Sequence, residues 1–553
     1  MAERTPTEHA GAVYFSALGL VLAAAFFTAS LTPSLMPRDA VAQGVLGGIV
    51  AAIGHELGGI LVWVWSFLGL PMPGPARRRG SLAGALVVAA ALCAFGLAKA
   101  DDWQDAIRRV MHLPPVEEAH ILTVGGVALG VFILLWLAAR LFALVRRRVT
   151  RWTNRVVPPR IGMAVGFVLV LWLFWALIDG FLVQRFLAAA DASFEAADVL
   201  IEPDIPQPQD PDKTGSPASL VRWTEMGRWG RSFVARAPTA DEIAAFSGPG
   251  AMDPVRVYVG RRSADTAQAR ADLALAELIR QNGFARTSLV IVVPVGTGWM
   301  DPGGHDTLDF MLGGDVATVA VQYSYLTSVL SLWVHPEYGI EQARVLFDTI
   351  YDHWLSLPEA TRPKLYVQGL SQGAFNSQQT LPLLDILAAP IDGALWAGSP
   401  FLSRIWSDVR NGRQPDSPAW LPRFGNGSLV RVANQWGGTE QFAAPWGPIR
   451  LVLLQYASDA IVHFTFDSAF RPPDWMKAPR APDVAPEFRW FPVVTMFQLA
   501  LDMAISLKVP GYGHFYIAPD YIDSWAAVVD PAGWSPDRAA TLKAIFAARP
   551  DPF

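Results

Sequence analysis

The sequence is poor in cysteine and in charge. A single cysteine, Cys93, in 553 residues excludes an intramolecular disulfide framework and any metal site built from several thiolates. Because it lies in an apolar run, it reads as a small buried side chain. Charged residues make up 17% of the chain and apolar residues 52%. Ordinary soluble domains carry about 25% charge, so the composition argues against a wholly soluble protein. No phosphate-binding G-x-x-x-x-G-K-[ST] occurs, and the position four after His55 in His55-Glu56 is Gly59, so no zinc-protease helix motif is present. Nothing in the sequence calls for a cofactor or a metal.

The charge that is present is shared unevenly. Residues 1–190 carry 16 Lys/Arg and 10 Asp/Glu, whereas residues 191–553 carry 28 and 39. The acidic C-terminal part has no electrostatic footprint for nucleic acid, and its length suffices for a core of its own. Residues 10–37 hold no charged side chain, and further apolar runs follow at about 41–70, 82–99, 120–144 and 161–186. A hydrocarbon core of about 30 Å needs about 20 apolar helical residues, so five transmembrane helices are expected within 1–190. The first run ends at Pro33-Ser34-Leu35-Met36-Pro37 without a signal-peptidase pattern and reads as an uncleaved helix.

Arginine sets the expected orientation. Arg77, Arg78 and Arg79 follow the second run, and Arg146, Arg147, Arg148, Arg151, Arg155 and Arg160 follow the fourth. Cation-rich loops stay cytoplasmic, which with five spans puts the C-terminal part outside. The Gly44/Gly48, Gly54/Gly58 and Gly126/Gly130 pairs allow close helix packing. His55 and Glu56 are ionisable groups at membrane depth. Interhelical hydrogen bonding and a polar substrate path are both open readings for them.

A Pro-rich stretch at 202–212 and a Trp/Arg-rich one at 219–247 make 191–250 a linker and entry segment. The latter could rest on lipid headgroups or pack on the following domain. From 251 to 553, strands are expected at 254–259, 288–295, 316–322, 364–368, 391–396 and 449–456. Helical patterns alternate with them, giving a mostly parallel sheet covered on both faces. A domain beginning near Ser219 is expected to fold and act without the membrane helices.

Gly369-Leu370-Ser371-Gln372-Gly373 matches G-x-S-x-G between a strand and a helix, the setting in which a serine sits on a sharp turn that only glycines accommodate. Such a serine needs a base held by an acid. Asp459 follows the strongest downstream strand, and His514 stands in the Gly-flanked Val509-Pro510-Gly511-Tyr512-Gly513-His514; His463 is a competing base without that setting. An oxyanion needs two backbone donors. Gln372 supplies one, and Thr297 or Gly298 in Val295-Gly296-Thr297-Gly298-Trp299 the other. His305-Asp306 reads as a polar turn, with a pocket role as the alternative. Segments rich in Trp406, Trp420, Trp436 and Trp446, then Trp475 and Trp490, are lid-like insertions whose aromatics serve packing or an apolar acyl pocket.

On these residues the chain resembles the bacterial membrane-embedded α/β-hydrolase family, with a multi-helix N-terminal region and a C-terminal α/β-hydrolase domain. The resemblance is carried by residues 30–38, 255–260, Gly296-Thr297-Gly298-Trp299 with Asp301-Pro302, Gln322-Tyr323-Ser324-Tyr325, the serine turn and the Asp459 segment. It implies a Ser371–Asp459–His514 site. Leu370 and Gln372 depart from the Glu and Leu common in relatives, which bears on pocket lining rather than on the reaction. The expected function is a serine hydrolase in the inner membrane, its catalytic domain extracytoplasmic, cleaving lipid or lipid-linked esters presented by the bilayer. Acyl transfer from the same acyl-enzyme, or a non-catalytic transport component, are the alternatives.

Overall fold

A computed structural model describes residues 16–549 apart from 117–119, 156, 178–184, 186–194, 196, 327–330 and 332–335. By contacts the chain divides into two units. One comprises residues 1–185 with 464–506, the other residues 186–463 with 507–553.

The first unit opens with helices α1 (Ala17–Leu31), α2 (Ala40–Phe67), α3 (Pro75–Val110), α4 (Ile121–Thr153) and α5 (Pro159–Leu177). Among the described residues three of them, α2, α3 and α4, are long and apolar enough to cross a membrane, which corrects the expected five. The first run is helical over only 15 residues, about 22 Å. Ser16 caps its start by accepting the Gly19 N–H, and Pro33 disfavours helical backbone at Thr32. The fifth is helical over Pro159–Leu177, and 178–184 lie outside the described residues. Helix α3 spans 36 residues, about 54 Å, so Arg77–Arg79, expected in a loop, and Asp101–Asp105, beyond the apolar run at 82–99, are both helical.

Glycines set the closest helix contacts. A Cβ at Gly54 would lie 2.6 Å from the Leu22 carbonyl oxygen, and one at Gly58 2.5 Å from the Gly19 Cα, so α2 meets α1 backbone to backbone. Gly126 and Gly130, expected to do the same, face open space. Helix α4 meets α2 instead through Val127, Ala128 and Val131. His55 is buried, edge-on to Phe132, with Nδ1 3.1 Å from Glu56 Oε1, while Glu56 is half-buried.

The second unit is a seven-stranded, wholly parallel sheet of β1 (Val255–Val259), β2 (Ser288–Val293), β3 (Val316–Val321), β4 (Lys364–Leu370), β5 (Gly393–Ala397), β6 (Val430–Ala433) and β7 (Arg450–Leu454), in the order β1-β3-β2-β4-β5-β7-β6. Nearly every strand residue is buried, as expected for a parallel sheet with both faces covered. Helices α6 (Ala267–Arg280), α7 (Pro302–Met311), α8 (Pro336–Ser356) and α9 (Gln372–Thr380) follow β1, β2, β3 and β4. Here α8 packs on α6 and α9. The expected entry segment is folded onto this unit. Trp223 and Met226 are buried in its core, and Arg231 donates to the carbonyls of Asp198 (3.1 Å) and Leu200.

The chain between Asp459 and His514 contains helix α10 (Val494–Ala504), which groups with the first unit, and α11 (Ala518–Val529) then packs on α7. Three of the insertion aromatics make packing or hydrogen-bond contacts within the protein. Trp406 is fully buried with Nε1 donating to the Val462 carbonyl, Trp446 lies under the Arg431 guanidinium, and Trp490 Nε1 donates to the Ser468 carbonyl.

Candidate active site

In a parallel sheet the carboxyl ends of the strands collect the loops that carry chemistry. Ser371 stands there, immediately after β4, between β2 and β5. Its backbone is at φ 55°, ψ −121°, a region that residues with a Cβ rarely adopt. The turn is fixed from three sides: the Ser371 N–H donates to the Ala397 carbonyl at the end of β5, while both flanking glycines are sterically required. A Cβ at Gly373 would lie 2.0 Å from the Val293 carbonyl oxygen, and one at Gly369 2.6 Å from the Ala374 nitrogen. The strain holds the serine clear of both strand and helix, 7% exposed, at the N-terminus of α9.

Asp459 follows β7 and is fully buried. Its Oδ1 accepts the Ile461 N–H at 2.8 Å, and its Oδ2 lies 2.6 Å from His514 Nδ1 and accepts the Tyr516 hydroxyl at 2.9 Å. The loop carrying His514 is tied to the sheet by Gly513 N–H to Ser458 Oγ, 2.9 Å. A Cβ at Gly398, just beyond β5, would lie 2.5 Å from His514 Cε1, so the imidazole rests on backbone one residue past the carbonyl that binds the Ser371 N–H. His514 Nε2 is buried and makes no hydrogen bond among the described residues.

His463, the competing base, is buried edge-on to Trp406, near enough to Asp459 for its imidazole to feel that carboxylate, and its N–H donates to the Asp459 carbonyl. Burial drives its imidazole down to about 4, so it is neutral at physiological pH.

Gln372 opens α9, and its N–H therefore has no intrahelical acceptor. In the Val295–Trp299 turn the Gly298 N–H is already given to the Val295 carbonyl at 2.8 Å, and the Gly298 carbonyl accepts the Tyr258 hydroxyl. This leaves Thr297, not Gly298, as the expected donor on that loop. The Thr297 carbonyl accepts Gln322 Nε2 at 3.0 Å, which anchors the turn on the residue after β3.

His305 and Asp306 are not in a turn. Asp301 caps α7 by accepting the Gly303 N–H, with Pro302 at its first position, so the Pro-Gly-Gly stretch is helical. Both side chains are buried in an ionic cluster, with Asp306 Oδ1 2.8 Å from His305 Nδ1 and 2.5 Å from Arg256, which also binds Asp309. Burial would raise the Asp306 carboxyl, but Arg256 and His305 outweigh it and hold it below the ordinary carboxylate range.

Tyr516, Gly398 and Ser458 were not foreseen in the sequence. One residue separates Tyr516 from His514, which gives no signal without the fold. Tyr516 also accepts the Tyr456 N–H and stacks on the Tyr456 ring at 4.2 Å, and the Tyr456 hydroxyl binds Asp520, whose carboxyl burial pushes up to about 6. The Asp459 carboxylate is thus the end of a buried chain of polar groups reaching into α11.

The sequence model of the alpha/beta-hydrolase family matches residues 255–542, and that of the alpha/beta-hydrolase family N-terminus matches residues 31–238. No curated protein and no solved structure matches the chain.

Proposed function

The chain belongs to the alpha/beta-hydrolase family, and from that premise we propose that it is a membrane-anchored serine hydrolase of carboxylic esters, with Ser371 as nucleophile, His514 as base and Asp459 as the acid that orients it. The observation that carries this reading is the 2.6 Å contact between His514 Nδ1 and Asp459 Oδ2, beside a serine held in a strained turn. With Nδ1 held by the carboxylate, the proton-accepting atom is Nε2, which is buried and makes no hydrogen bond among the described residues.

Ser371 Oγ attacks the ester carbonyl while His514 Nε2 takes its proton. The oxyanion is met by the N–H groups of Gln372 and Thr297. Collapse of the tetrahedral intermediate breaks the bond to the alkoxy group, which leaves as the alcohol with the proton from His514. Water, deprotonated by the same imidazole, then attacks the acyl-enzyme and releases the acid. The buried Asp459 keeps its charge matched by three donors throughout.

Apolar side chains exposed along α2, α3 and α4, among them Trp63, Phe95 and Leu134, support insertion in a bilayer, and a bilayer location supports lipid-like esters as substrates. Orientation rests on two facts within the helical unit. The arginines cluster at the N-terminal end of α3 and the C-terminal end of α4, the cytoplasmic end by the positive-inside rule. Helix α10 packs with Ala29, Leu46 and Val50, near the C-terminal end of α1 and the N-terminal half of α2, toward the opposite end. An insertion on that side supports an extracytoplasmic catalytic domain, and α5, which packs on α4, starts at the arginine end of the helical unit and heads away from it.

The test is hydrolysis of a series of p-nitrophenyl esters by purified full-length protein. Ser371→Ala and His514→Ala each lower turnover by at least about 10³-fold if the residues act as a unit. Activity retained in both variants rules the proposal out.

A further inference from the structure

The chain leaves the sheet unit at Phe464, five residues after Asp459, and returns at Leu507, seven before His514. Between these points it belongs to the helical unit, and the contact that seats it there is a fully buried ion pair. The Asp502 carboxylate accepts the Leu35 N–H at 2.9 Å, Ser34 Oγ at 3.0 Å and Arg38 Nε at 3.2 Å. The Arg38 guanidinium also donates to the Ser30 carbonyl and to Gln43 Oε1, both at 3.0 Å. One helical turn earlier, Gln498 Nε2 reaches the Thr32 carbonyl at 3.1 Å. Both charged side chains have no exposed surface.

A buried, fully hydrogen-bonded ion pair is a poor device for stability alone, since apolar packing does as well or better. Its geometric demand fixes register: a shift of α10 by one residue against the 30–38 segment leaves two charges buried without partners. The segment so fixed separates the acid and the base of the proposed site. On the sheet side the His514 loop is held through Gly513 to Ser458, and by Gln435 Nε2 to the Gly511 carbonyl at 2.9 Å.

We propose that Arg38, Asp502 and Gln498 are positioning residues: the helical unit grips the 464–506 segment as a strap, and the strap's register sets the His514 loop against Asp459. This rests on the reading of Ser371, Asp459 and His514 given above. It gives the helical region a part in catalysis beyond location, and it reverses the expectation that a domain beginning near Ser219 acts alone, because such a chain retains Asp502 and lacks Arg38.

The test uses full-length protein in detergent and a fluorophosphonate probe, separating the maximal inactivation rate from the probe's half-saturating concentration. A four-residue Gly-Ser insertion between Leu507 and Lys508 slackens the strap without touching either core. It lowers the maximal rate by about tenfold or more, the scale expected for a sub-ångström to ångström misplacement of a reacting group, with half-saturation unchanged. Asp502→Asn changes the rate in the same direction, whereas Arg471→Ala, at an exposed ion pair in the same segment, does not. A labelled wild type whose Gly-Ser variant reacts at the wild-type rate overturns this proposal alone. A folded wild type that is not labelled at all overturns the site reading and this proposal with it.

Discussion

The Tyr516 hydroxyl donates to Asp459 Oδ2 at 2.9 Å, the same oxygen that lies 2.6 Å from His514 Nδ1. Two donors on one carboxylate oxygen, with the Ile461 N–H on the other, leave the buried acid one orientation. Tyr516→Phe removes one of the three and keeps the ring stacked on Tyr456. A charge-assisted hydrogen bond is worth about 1.5–3 kcal/mol, so turnover is expected to fall roughly 10–100-fold with KM unchanged, as measured by ester hydrolysis. A large rise in KM with kcat preserved would place Tyr516 in substrate binding instead.

Backbone strain at Ser371 makes a separate prediction about stability. Residues held in such a region cost about 1–3 kcal/mol. Ser371→Gly is therefore expected to be more stable to urea than Ser371→Ala by an amount in that range, although both lack the nucleophile. Equal midpoints for the two variants would mean that the turn carries no strain.

His463 governs part of the acid sensitivity. With its imidazole at about 4 in the folded protein and about 6.5 when unfolded, the unfolded chain binds the extra proton first as pH falls. Stability is then lost between about pH 6.5 and 4, by at most about 3 kcal/mol. His463→Gln is expected to flatten that part of the urea-midpoint-against-pH curve while still reacting at Ser371. An unchanged curve would show that His463 does not titrate there.

Much of this was legible because parallel strands buried on both faces are continuous β-branched runs. Six of seven strands lie where those runs do. The missed one, β6, is four residues long with Arg431 at its second position, so it reads as loop. The serine turn was legible because its glycines are demanded locally. The seat of the 464–506 segment was not, since Asp502 and Ser34 are 468 residues apart and nothing near either one signals the other. Span count failed for a local reason: hydropathy does not register the cap at Ser16 or the prolines that shorten α1, nor that polar residues continue α3 beyond the apolar run.

Orientation is tested by reporter fusions to successively longer N-terminal fragments. Fusions after residues 80 and 155 are expected to behave as cytoplasmic, and one after residue 215 as extracytoplasmic. A cytoplasmic signal at residue 215 would put the sheet unit on the arginine side and contradict the placement of α10.

The central claim is that Ser371 is a nucleophile activated by His514, and covalent capture reads it most directly. Full-length protein treated with a fluorophosphonate probe, digested and mapped by mass spectrometry, is expected to carry the adduct on Ser371. Labelling is expected to vanish in Ser371→Ala, to fall by at least about 10³-fold in His514→Ala, and to persist in His463→Gln. An adduct on another residue, or undiminished labelling of folded His514→Ala, would contradict the account.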